Sequence, residues 1–247
     1  MNISVASAER ALGRRVPEPP RAWIITPLLL LLVLLGMEGT DIDRDVSLWF
    51  FNAATGTFPL RHTFLLDTVL HHWAKYAVTA IAGIAGAMTL LTWMAPGLRP
   101  RRATLLFVVA AMVLAPLAVT TLKLVTDRPC PWDLVEFGGT VPHTRLFQPR
   151  SFPHMQGQCF PAGHASTGFA LLALYFAAYR EKRRALARAA LGLGLMAGLL
   201  LGAGRILQGA HFVSHVLWAG LVCWLVMLAL HRMMPVGGDP ANTGRSL

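Results

Sequence analysis

The stretch Gly204-Arg205-Ile206-Leu207-Gln208-Gly209-Ala210-His211, followed by His215, joins two apolar runs of the chain. Charge is costly inside lipid, so a guanidinium and an imidazole at such a junction point to a functional site at a membrane surface. Arg205 offers a planar fork that fits phosphate. His211 titrates near neutrality and suits a nucleophile or a proton carrier. The competing reading makes Arg205 a snorkelling anchor and the histidines interface residues. The stretch by itself supports both equally, and the rest of the chain has to discriminate.

The chain has 247 residues, 55% of them hydrophobic and 14% charged, and several long apolar runs. That composition describes an all-α polytopic membrane protein with one domain. The formal charge of +10 is carried mostly by arginines grouped between apolar runs. Such grouping sets membrane orientation, so nucleic acid is not expected as a partner. Three cysteines are too few for a disulfide framework. Arg10, Arg14 and Arg15 precede the first apolar run as in a signal peptide, but without a clean small-residue cleavage site the run reads as a retained span.

Six spans are expected, at about 22–37, 74–95, 103–122, 162–179, 189–204 and 212–230. Between the first two, 46–51 and 64–70 are too short to cross and read as interfacial helices of the first outer loop. Gly192, Gly194, Gly198, Gly202 and Gly204 supply small-residue contacts for close packing of the fifth span. The arginine-rich segments 1–21, 99–102 and 180–188, with the tail, fall on the cytoplasmic side. The acidic loop 38–73, the long loop 123–161 and the turn 205–212 fall on the other. The domain division is a cytoplasmic segment 1–21, a membrane domain 22–232 and a cytoplasmic tail 233–247, the tail short and disordered.

That topology brings three distant groups to one face: Lys123 and Arg128, then Pro161-Ala162-Gly163-His164, then Arg205 to His211 with His215. Cations and imidazoles converging at one depth suit a bound phosphate. Lys123, Arg128 and Arg205 would neutralise phosphoryl oxygens. Gly163 would let a helix N-terminus approach the anion, and His164 stands beside it. One imidazole would attack phosphorus while the other protonates the leaving oxygen, with no metal or other cofactor required. Two rival schemes use the same residues. His211, His215 and His164 could hold zinc, although the nearby cations would repel it. A lipid-phosphate carrier could keep the cationic pocket without turnover.

These motifs resemble the type 2 phosphatidic acid phosphatase superfamily, whose signature runs Lys-x6-Arg-Pro, Pro-Ser-Gly-His and Ser-Arg-x5-His-x3-Asp on a six-span bundle. Here the counterparts are Lys123-x4-Arg128-Pro129, Pro161-Ala162-Gly163-His164 and Gly204-Arg205-x5-His211-x3-His215. The resemblance covers about 75–230. It implies a phosphohistidine formed on His211, protonation of the leaving group by His164, and phosphate held by Lys123, Arg128 and Arg205. It further implies a lipid-phosphate substrate (phosphatidate, phosphatidylglycerophosphate, undecaprenyl diphosphate or lipid A class). The acceptor is water or a second lipid. The implied location is the bacterial inner membrane, with the site facing the periplasm.

The chain departs from the signature at four places. The first motif is two residues short. Ala162 and Gly204 replace serines. His215 replaces the aspartate that orients the nucleophile, so Asp127, Asp133 and Glu136 are candidates for a substitute carboxylate. Cys130 and Cys159 flank the outer loop and could pair across it or stay as thiols, whereas Cys223 reads as inert core. Trp49, Trp73, Trp132 and Phe137 read as interfacial belt residues, and Gly138-Gly139 as a turn.

Overall fold

The computed structural model describes residues 17–149 and 157–236. Most of the 1–21 segment and most of the 233–247 tail, with its expected disorder, lie outside the described residues. Among those described the chain is all-helical, with only two isolated β-bridges.

The principal helices are α1 (Ala22–Glu38), α2 (Ile42–Leu48), α3 (Ala74–Met94), α4 (Arg102–Thr126), α5 (Gly163–Phe169), α6 (Leu172–Arg180), α7 (Arg184–Leu207) and α8 (Val213–Met233). Five of them start and stop within a few residues of the apolar runs, because length and apolarity decide a span. Among the described residues, four helical segments are long and apolar enough to cross a membrane; a fifth would be α1 with α2, bent by 75°.

The run at 162–179 is different. It folds as two short helices, α5 and α6, which pack against α4, α7 and α8. Ala165, Phe169, Leu172, Ala173 and Phe176 are all buried, so this element is the centre of the bundle. Neighbouring helices, not lipid, surround it, and neither of its two helices is long enough to count as a span by length.

Close packing around that centre depends on glycine. A Cβ on Gly194 would lie 2.8 Å from Leu172, one on Gly198 2.2 Å from the Phe169 ring, and one on Gly202 2.4 Å from Val216. The three are four residues apart on α7 and let it approach α5, α6 and α8. Gly192 faces open space and Gly204 faces Leu70 and Leu66 of the outer segment, so those two do not mediate the contact.

At the end away from the phosphate motifs, Arg180 is buried and donates to the carbonyls of His231, Met234 and Pro235. Trp23 of α1 donates to the Tyr175 hydroxyl, and its own carbonyl accepts from Trp224. These bonds fix α1 and the end of α8 against α6.

The first outer segment is more structured than its short apolar patches suggest. Residues 65–73 form a π-helical stretch (Leu65–Trp73) continuous with α3, so the 64–70 patch begins a 30-residue helix. The 46–51 patch overlaps the end of α2. Phe58, Leu134, Phe137, Val141 and Phe212 then form a second apolar cluster joining both outer loops to the start of α8. Phe137 is therefore buried in that cluster and not at an interface, whereas Trp49 and Trp73 remain exposed.

Candidate active site

Helix α4 carries Lys123 in its last turn and stops at Asp127, which adopts a left-handed conformation (φ 45°) and donates its N–H to the Lys123 carbonyl at 3.1 Å. The helix thus ends between Lys123 and Arg128. The shortened spacing of the first motif is not a rotation around a helix, because Arg128 lies beyond it.

The Lys123 ammonium reaches the start of α5: a Cβ on Gly163 would lie 3.6 Å from Nζ. Just before it, Ala162 donates its N–H to the His215 carbonyl at 3.0 Å, which ties the second motif to α8. The α7–α8 turn supplies the rest. Gly209 has φ +71° and a Cβ there would lie 2.3 Å from the Phe58 ring, so the turn needs glycine on both counts. The carbonyl of Gly209 accepts from Trp132, and Arg205 donates to the Oε1 of buried Gln208 at 2.8 Å.

His211 sits at the centre, almost fully buried. Burial holds its imidazole pKa well below the ordinary value, and His215, Arg205, His164 and Lys123 act on it in the same direction. Side chains from α4, α5, α7 and α8 are therefore close enough to influence one ring. Four of the residues singled out from sequence converge on the fifth.

Two residues are placed less simply. Arg128 donates to the Thr144 hydroxyl at 3.1 Å and to the carbonyls of Leu146 and Gln148, which anchors the outer loop. His215 stacks edge-on to His211 with centroids 5.9 Å apart and edge-on to Phe160 with centroids 5.2 Å apart. Nδ1 of His211 is buried without a hydrogen-bond partner among the described residues. The suggested substitute carboxylates are engaged elsewhere. Asp127 accepts from Gly157, Asp133 accepts from the Cys130 N–H, and Glu136 pairs with Arg44. Among the described residues no group of three His, Cys, Asp or Glu side chains is gathered to hold a metal ion.

Sequence reasoning missed three contributors. Asp43 accepts from the N–H of Ser214 at 2.9 Å and from its hydroxyl, across the start of α8. Gln208 donates to the Arg61 carbonyl at 2.9 Å. The Arg61 guanidinium lies 4.0 Å from the centroid of Trp132, with that of Arg205 at 5.5 Å from the same ring. Each joins residues distant in sequence, and no local pattern announces such a pairing. Cys130 and Cys159 are paired in a disulfide, with Cα atoms 5.1 Å apart.

The apolar helices of the bundle are those of a multi-pass membrane protein, with a buried imidazole and cationic side chains gathered at one end. A model of the PAP2 superfamily matches residues 104–238, more than half of the chain and all three motifs, and the protein belongs to that family. Members of the family are phosphatases and phosphotransferases of phosphate esters, generally of phosphorylated lipid-type substrates. No curated protein and no solved structure matches the chain.

Proposed function

We propose that the protein is a membrane phosphatase that hydrolyses a lipid phosphate or diphosphate through a phosphohistidine on His211. The observation that carries this reading is the convergence of Lys123, His164, Arg205 and His215 on the buried His211 ring. A binding pocket alone would need the cations but not two imidazoles.

In this mechanism the phosphate group is held by Lys123, Arg205 and the backbone around Gly163. A ring nitrogen of neutral His211 attacks phosphorus. The bond from phosphorus to the lipid oxygen breaks, and His164 gives that oxygen a proton. Water then attacks the phosphohistidine, His164 takes its proton, and phosphate leaves. Arg128 contributes charge and holds the outer loop, while His215 ties the 159–162 segment to the nucleophile's helix. No metal or organic cofactor enters the scheme.

The site faces the periplasm of a bacterial inner membrane in this account. The six spans are α1, α3, α4, the broken central pair α5–α6, α7 and α8, with both termini in the cytoplasm. The arginine-rich turns at 99–102 and 180–188 support that orientation. Purified protein offered phosphatidate, phosphatidylglycerophosphate and a prenyl diphosphate should release phosphate, and His211→Ala should not.

The unpartnered Nδ1 of His211 favours a second reading, a lipid-phosphate binding protein without turnover. Phosphate release separates the two. Appearance of a phosphorylated second lipid would instead mark a phosphotransferase.

A further inference from the structure

We infer that Arg61 and Trp132, which lie outside the family's motifs, recognise a second phosphate-type anion carried by the substrate beside the group that reacts. This rests on the proposed phosphatase reading and adds to it a preference for head groups with two phosphates.

The geometry is specific. Arg61 and Arg205 come from segments far apart in sequence, yet both guanidinium groups lie against the Trp132 indole, at 4.0 and 5.5 Å. One buried amide links the two arginines: Gln208 accepts from Arg205 at 2.8 Å and donates to the Arg61 carbonyl at 2.9 Å. The main chain at Trp132 is anchored to the same turn, its backbone N–H donating to the Gly209 carbonyl at 3.0 Å. The arginine from the outer loop is thereby held in register with the arginine of the third motif.

Two like charges on one ring repel each other, so packing alone does not account for the pair. The Asp67 carboxylate lies within electrostatic reach of Arg205, and Arg61 within reach of Asp133. Asp133 is also committed to the Cys130 N–H. Among the described residues, Lys123, Arg61 and Arg205 set three cations against the carboxylates of Asp67 and Asp133. Arg61 is exposed whereas Arg205 is half-buried, so the pair runs from the reacting centre outward. A guanidinium on an aromatic face keeps its N–H edge available, and that edge matches phosphate oxygens. A diphosphate presents its second phosphate one bridging oxygen away, and a glycerophosphate head presents a phosphodiester a few atoms away. Both share the chemistry that Arg61 would read.

The test uses full-length protein and Arg61→Gln, which keeps the main-chain carbonyl that Gln208 holds. Inorganic pyrophosphate and inorganic phosphate are titrated calorimetrically, independent of turnover. The wild type should bind pyrophosphate more tightly, and Arg61→Gln should reduce that preference by roughly tenfold, the worth of one charge-assisted contact. Arg61→Lys, which keeps the charge but loses the fork, should fall between them. Kinetics on phosphatidate, phosphatidylglycerophosphate and a prenyl diphosphate then identify the source. The substrate whose kcat/KM falls furthest relative to phosphatidate carries the group that Arg61 contacts. A pyrophosphate preference unchanged in Arg61→Gln, or one absent from the wild type, overturns the inference. An Arg61-dependent preference in a protein that never releases phosphate would defeat the phosphatase reading and leave this one standing.

Discussion

The carboxylate of Asp43 accepts two hydrogen bonds from Ser214, 171 positions away, one from the main-chain N–H at 2.9 Å and one from the hydroxyl. The acceptor for the first turn of α8 thus comes from the outer segment, because the residue at the N-cap position, Phe212, has no side chain that could accept. A carboxylate at a helix N-terminus also complements its dipole. His211 and His215 bracket this turn. Asp43→Ala should lower stability by about 1–2 kcal/mol and slow phosphate release, whereas Asp43→Asn, which keeps an acceptor oxygen, should lose less. Thermal unfolding in detergent alongside the activity assay checks both.

The buried His211 ring predicts the pH profile. Its pKa is pushed down first by burial and then by His215, Arg205, His164 and Lys123. The neutral ring is the nucleophile, so kcat/KM should hold its acid-side plateau below about pH 6.5, the ordinary histidine value. Stability moves the other way. The unfolded chain takes up this proton near pH 6.5 while the folded chain does not, so the ring's contribution is full above about that pH and declines below it. A pH–rate profile and a series of melting temperatures measure the two effects; an acid limb at or above the ordinary value would contradict a buried imidazole.

The Cys130–Cys159 disulfide closes a separation of 29 residues around the outer loop. One thiol, that of Cys223, should be titratable in denatured unreduced protein, and three after reduction. Replacing both partners by serine should cost about 3.6 kcal/mol, the value expected for a loop of this size. Arg128, whose carbonyl accepts from Cys159, should then hold the 144–148 segment less firmly.

Two glycines of α7 should behave oppositely. Gly198→Ala drives a methyl into the Phe169 ring and should destabilise by about 1–3 kcal/mol. Gly192→Ala meets nothing within 4 Å and should be tolerated. Detergent melting temperatures of the two variants test whether α7 approaches the central pair as described.

The contrast between those glycines shows what the sequence could convey. The recurrence of Gly194, Gly198 and Gly202 at intervals of four marks one helix face, and that face is the packed one. The five longer helices were legible because a span's length and apolarity are local properties. The break at Ala170–Leu171 was not, since a run apolar on every side carries no sign of where it bends. Lys123, His164, Arg205 and His211 could be placed together because topology alone brings their helix ends to one surface. Arg128 and Asp43 could not, because their partners are loop carbonyls and a helix start fixed only by tertiary contacts. Neither could the tie from His215 to the 159–162 segment, which depends on the fold of the outer loop.

The central claim is that His211 becomes phosphorylated. Protein mixed with a phosphatidate labelled in its phosphate and quenched in base, where phosphohistidine survives, should carry label on the peptide that contains His211. The label should be absent from His211→Ala and should accumulate in His164→Ala given a substrate with a good leaving group. Phosphate release by wild-type protein with no label on that peptide, or undiminished release by His211→Ala, would contradict the account.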